Sequence, residues 1–189
     1  MNSHKNPNLL SREESFVLVV DVQEKLLPVV PAGQSLVVEI NKILAGARLF
    51  NVPVFISEQY PQGLGDTISE ISTGDPFVFE KTSFSCGGSG SDFTNALSSL
   101  QKENRMQCVL VGIESHICVL QTALDLMNRG FDVYPVVDAI GSRHILDHQV
   151  AVQRMTQTGA QPVSTESVLF EWCGDSTDPR FKSVSQLVR

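Results

Sequence analysis

Histidine is scarce in this chain: there are four in 189 residues, and none between His4 and His116. A transition-metal site built on imidazole has no ligands across that stretch, where carboxylates and amides alone make a poor substitute. Basic residues are also few. Lys and Arg number 14 against 21 Asp and Glu, giving a net charge of −7 and a pI near 5.0. That balance argues against broad binding to nucleic acid or anionic membrane. No apolar run approaches the roughly 18 residues needed to span a bilayer. The four cysteines, Cys86, Cys108, Cys118 and Cys173, form no C-x-x-C pair. Their wide spacing points to neither a zinc knuckle nor a disulfide framework, and a reducing setting is the simplest account. Residues 1–15 are polar, carry Glu13 and Glu14, and lack the apolar core of a signal peptide. A cytoplasmic location is therefore expected, with a mitochondrial one left open.

What is present suits one globular domain over residues 16–189, behind a polar segment at 1–15. Short β-branched runs alternate with helical patterns: Phe16-Val17-Leu18-Val19-Val20, Pro53-Val54-Phe55-Ile56, Phe77-Val78-Phe79, residues 106–112 and residues 132–137. They read as buried parallel strands, with Gln161-Pro162-Val163 as a sixth at an edge, where proline is tolerable. Helices are expected at 36–50, from a cap at Ser91-Asp92 through Leu100, from a Ser115 cap to Gly130, and at 144–158 before Gly159. Gly87-Gly88-Ser89-Gly90 reads as a loop, and residues 167–189 as one or two short helices. Alternation of this kind implies right-handed crossovers and a three-layer α/β/α sandwich.

In open α/β sheets the working site lies beyond the carboxyl ends of the strands. Asp21 follows strand one, Glu58-Gln59-Tyr60 strand two, Lys81 the Phe77 strand and Cys118 the strand at 106–112, so all should gather on one rim. Taken singly, Cys118 reads as a small buried hydrophobe, Asp21 as a helix cap and Lys81 as a solvated cation. Together they supply a nucleophile, a base and an electrostatic support for acyl transfer. A helix start at Cys118 is expected to favour the thiolate. His116 is two residues from Cys118 and points away from it on a helix, so it is read as a pocket or interface residue. His144 and His148 have the i, i+4 spacing of a metal pair but lack a third ligand, and are read as surface groups. Cys108, inside an apolar run, reads as core.

Four segments together resemble the isochorismatase-like cysteine hydrolase superfamily: Leu18-Val19-Val20-Asp21-Val22-Gln23, Glu80-Lys81-Thr82-Ser83-Phe84-Ser85, Val111-Gly112-Ile113-Glu114-Ser115-His116-Ile117-Cys118-Val119 and Val137-Asp138-Ala139. Glu58-Gln59-Tyr60-Pro61 followed by Gly63-Leu64-Gly65 is similar to the isochorismatase-domain-containing proteins. The resemblance spans roughly residues 16–170. It implies Asp21 as base, Lys81 as supporting cation and Cys118 as nucleophile. It also implies a cis peptide between Ile113 and Glu114, with the N–H groups of Glu114 and Cys118 turned to an oxyanion. A six-stranded sheet in the order 3-2-1-4-5-6 and a homo-oligomer, dimer or tetramer, are implied as well.

Gln23, Gln59, Tyr60, Phe84 and His116 are the expected pocket residues. Nicotinamidases in the superfamily bind a metal through an aspartate and two histidines after the second strand. This chain has Glu58-Gln59-Tyr60-Pro61-Gln62-Gly63 there, so no metal and no cofactor are expected. True isochorismatases commonly lack the cysteine that stands here at 118. The expected function is a metal-independent cysteine hydrolase of a small amide-like substrate, acting through a thioester. The alternative is a catalytically idle protein that keeps the fold for interactions.

Overall fold

In the computed structural model, residues 9–71, 74, 76–88 and 92–189 are described. The cap expected at Ser91, part of the loop at 87–90, His4 and most of the segment 1–15 lie outside them. Among the described residues five strands form one parallel sheet: β1 Ser15–Val20, β2 Val54–Gln59, β3 Phe77–Lys81, β4 Gln107–Ile113 and β5 Asp132–Gly141, in the order β3-β2-β1-β4-β5. Seven α-helices among the described residues accompany them: α1 Gly33–Phe50, α2 Pro61–Leu64, α3 Asp92–Lys102, α4 Leu120–Asn128, α5 Ile145–Thr158, α6 Thr165–Cys173 and α7 Phe181–Leu187.

The period-two geometry of a strand divides each apolar run between two cores. In β1, Val17 and Val19 face a core shared with α1, α6 and α7, around Ile40, Leu44, Leu169 and Trp172. Phe16, Leu18 and Val20 face the opposite core with α3, α4 and α5, around Phe93, Leu97, Leu126 and Met155. Both faces of the sheet are therefore covered, which is why its central strands read as unbroken apolar runs. Phe93 stacks on Phe79 with ring centroids 4.8 Å apart and meets Phe55 edge-on at 5.3 Å, so α3 is keyed to the β2–β3 edge.

The expected sixth strand is absent. Residues 161–163 run beside β5 and exchange hydrogen bonds with Val133, Pro135 and Val137, but form only an isolated bridge between Val136 and Val163. Pro162 has no N–H to extend a ladder, and the chain turns at once into the cap of α6. There Ser164 accepts from the Ser167 amide, and Asp138 accepts from the Thr165 amide at 2.9 Å. Asp138, part of the fourth matched segment, thus has a structural task. The helix after Ser115 also differs from expectation. Residues 115–119 form one widened turn, in which the Val119 amide reaches back to the Glu114 carbonyl, before α4 begins at Leu120. The Ser115 hydroxyl bonds His148 instead of capping the turn.

Gly112 is demanded by the sheet itself. Its φ is +114°, and a Cβ there would lie 2.1 Å from the Val20 carbonyl oxygen. Only glycine lets β4 pass this close to the end of β1. The register pairs Val20 with both Ser57 and Gly112, and β2 and β3 run further, to the paired Gln59 and Lys81. No helix among the described residues is long and apolar enough to cross a membrane.

Candidate active site

Asp21 is the first residue beyond β1. Its backbone turns into the left-handed region at φ 52°, which Asp tolerates better than most residues. The turn directs the carboxylate into the space between β2, β3 and β4, where it is fully buried. Lys81 ends β3, in register with Gln59 at the end of β2. Its ammonium donates to Asp21 Oδ2 at 2.7 Å, Gln59 Oε1 at 2.8 Å and the carbonyls of Phe84 and Ser83 at 3.1 and 3.3 Å. Four acceptors surround three N–H bonds, so the cation is held in one place. The other Asp21 oxygen, Oδ1, accepts from the Ser57 hydroxyl at 2.7 Å.

Cys118 completes the group from the widened turn, a feature often found at functional sites. Its thiol lies beside the Asp21 carboxylate and feels its charge, and it is only 7% exposed. The structure therefore brings Asp21, Lys81 and Cys118 onto one rim, as the strand ends imply. The thiolate expected at a helix start does not follow. Burial pushes the Cys118 thiol up, the adjacent Asp21 charge pushes it further, and Lys81 offsets only part of this. Burial and the Asp21 charge both favour the protonated thiol over the thiolate. Burial likewise raises Asp21 above the usual aspartate range, despite Lys81 and the donors around it. Burial works against the Lys81 charge, but the facing Asp21 outweighs it and the ammonium titrates above its ordinary value.

The peptide between Ile113 and Glu114 is cis. Ile113 is buried in the core. The Glu114 carboxylate is 5% exposed and receives the Arg143 guanidinium and main-chain N–H, with contacts of 2.6 to 3.2 Å. A cavity of about 150 Å³ opens beside Cys118, lined by Leu26, Gln59, Leu64, Phe84, Glu114, Ile117 and Arg143. Of the expected pocket residues, Gln59 and Phe84 line it. Gln23 does not: it is a buried clamp that binds the main chain of Gln59 through both ends of its amide and also donates to the Gly65 carbonyl. Tyr60 is exposed outside the lining. His116 turns away to Ser142 Oγ at 3.0 Å. His148, read as a surface group, is half-buried and bonded to Ser115 Oγ at 3.0 Å.

Ser57, Cys86 and Arg143 are additions that no motif announced. Cys86 is fully buried, and burial with the neighbouring Asp21 charge raises its thiol to about 11. Glu58, where the nicotinamidases have metal ligands, spends its carboxylate on the amide and hydroxyl of Thr67, each at 2.7 Å. No group of three His, Cys, Asp or Glu side chains among the described residues is arranged as a metal site.

Comparison with known proteins decides the family. Residues 15–167 match the isochorismatase domain. This chain belongs to the isochorismatase family. As an isochorismatase-domain protein it is 38% identical over 170 residues to isochorismatase domain-containing protein 1 of Salmo salar, covering 89% of this chain and 59% of that protein. It is 37% identical to isochorismatase domain-containing protein 2A of Mus musculus, covering 94% and 84%. The chain thus spans about three fifths of the salmon relative's length. Among solved structures, the MAR1 ribonuclease of Caenorhabditis elegans superposes with a TM-score of 0.87 at 32% identity, over 95% of this chain and 92% of that one.

Proposed function

We propose that this isochorismatase-family protein hydrolyses a small carboxamide or similar carbonyl compound through a thioester on Cys118. The observation that carries the reading is one buried carboxylate, Asp21, that receives the Lys81 ammonium at 2.7 Å and has the Cys118 thiol beside it. A carboxylate held this way can take a proton from sulfur and keep it close for return. A raised thiol suits that sequence, because the proton leaves only as the sulfur attacks.

In acylation, the Cys118 S–H bond gives its proton to Asp21 while sulfur bonds to the carbonyl carbon. The carbonyl electrons move to oxygen, which the N–H groups of Glu114 and Cys118 stabilise. The electrons then return, the C–N bond breaks, and Asp21 passes its proton to the departing nitrogen. In deacylation, Asp21 takes a proton from water as that water adds to the thioester. The C–S bond breaks, the acid leaves, and Asp21 returns the proton to sulfur. Lys81 keeps the Asp21 charge compensated at each stage, and its ion pair is where removing one partner does most damage. The cycle uses only these residues and water, with Glu58 committed to Thr67.

The nematode relative's name raises RNA cleavage as a second reading. The formal charge of −7 and a cavity of about 150 Å³ oppose it here, because phosphodiester recognition draws on a basic groove. Ammonia release from small primary amides, set beside cleavage of single-stranded RNA, separates the two. Amide turnover that disappears in Cys118→Ala supports the thioester reading. RNA cleavage without amide turnover, or amide turnover unchanged by Cys118→Ala, overturns it.

A further inference from the structure

The cavity next to Cys118 has walls of two kinds. Leu26, Leu64, Phe84 and Ile117 are apolar, and the polar side consists of Gln59, Glu114 and Arg143. Each polar group is already engaged. Gln59 accepts from Lys81 through Oε1 and donates to the Thr82 carbonyl through Nε2. Both Glu114 oxygens take Arg143 N–H groups, so the charges of Glu114 and Arg143 cancel at the wall. Lys81 lies behind Asp21 with four acceptors of its own. The wall therefore offers a bound molecule no uncompensated charge of either sign, and burying an ion without a counter-charge is costly. Size sets the second limit. An apolar cavity of about 150 Å³ holds a body the size of benzene, about six non-hydrogen atoms.

Resting on the acyl-transfer reading above, we infer that the substrate's acyl group is uncharged, apolar and built of about six non-hydrogen atoms. Arg143 is then a specificity residue that keeps the wall neutral by holding Glu114, and does not itself receive a carboxylate. The guanidinium side chain is 49% exposed, so it stands at the mouth and a substitution there leaves the cores intact.

Binding tests this without requiring turnover. Cys118→Ala protein is titrated by protein-detected NMR with hexanamide, octanamide, the anion adipamate and the cation 6-aminohexanamide. Hexanamide is expected to bind saturably, with octanamide and both charged compounds at least about tenfold weaker. In Cys118→Ala/Arg143→Ala, Glu114 loses its partner, and 6-aminohexanamide is expected to gain about tenfold while adipamate gains nothing. Adipamate binding as tightly as hexanamide, and losing that affinity with Arg143, would overturn the inference, as would octanamide binding as tightly as hexanamide or no saturable hexanamide binding. Ammonia release by the unsubstituted protein is read separately: its absence condemns the proposed reaction, and the charge preference condemns or supports the wall.

Discussion

Replacing Lys81 with methionine removes the cation from a carboxylate that has no exposure to solvent. Two outcomes are open to Asp21, and both cost stability. If it stays ionised, an unpaired buried charge costs about 3–5 kcal/mol. If it protonates, folding must neutralise a group whose ordinary value is 3.8, at about 1.36 kcal/mol per pH unit above that value. At pH 7 that is about 4.4 kcal/mol and at pH 5 about 1.6 kcal/mol, so the deficit grows by at most about 2.7 kcal/mol between them, because the parent's own raised Asp21 carries part of the same cost. The sign follows from proton counting. A carboxyl raised in the folded state binds more protons there than in the unfolded chain, so stability falls as pH rises from 3.8 towards the folded value. Urea unfolding of Lys81→Met and the parent protein at pH 5, 6 and 7 measures this directly. The deficit should widen with pH, and Asp21→Asn/Lys81→Met should recover most of it and lose the slope. A deficit below about 1 kcal/mol and flat with pH would refute the claim that the pair is buried and mutually dependent.

Three further outcomes follow from the same geometry. Gly112→Ala places a Cβ against the Val20 main chain at φ +114° and should cost at least about 2 kcal/mol in urea unfolding; a change within experimental error would contradict the close approach of β1 and β4. Asp21→Asn removes a charge that, after burial, raises the Cys118 thiol, so alkylation of Cys118 by iodoacetamide at pH 8 should quicken severalfold. Slower alkylation would mean that Asp21 acts on the sulfur more as a proton acceptor than as a repelling charge, and unchanged alkylation would separate the two residues. His148 is held below its ordinary 6.5 by burial, so the unfolded chain takes up its proton first and stability should decline as pH falls through 6.5. His148→Gln should remove that part of the slope, and an identical slope in both proteins would place the titration elsewhere.

The parts legible in the sequence were those governed by local chemistry. Apolar β-branched runs marked β1 to β5, and the rule that sites form beyond strand ends put Asp21, Gln59, Lys81 and Cys118 on one rim. Long-range placement was less legible. Ser57 ends the run Val54-Phe55-Ile56 as a polar residue, and only the register with Val20 shows that it faces Asp21. Arg143 is 29 positions from Glu114, and nothing in its neighbourhood announces the pairing. Ser115 has the residue type of a cap, but the wide turn sends its hydroxyl to His148 instead. The thiolate expectation failed for a related reason. A helix start favours the anion, but burial beside a carboxylate opposes it more strongly, and burial is set by the fold.

The most direct test of a Cys118 thioester is to trap it. p-Nitrophenyl hexanoate has a leaving group that needs no proton from Asp21, whereas release of the acyl group from sulfur does need Asp21 to activate water. Acid-quenched intact mass spectrometry of the unsubstituted protein during turnover should show a hexanoyl adduct that maps to Cys118 and is absent from Cys118→Ala. An adduct on another residue, or ester turnover that is equal with and without the Cys118 thiol, would contradict the account.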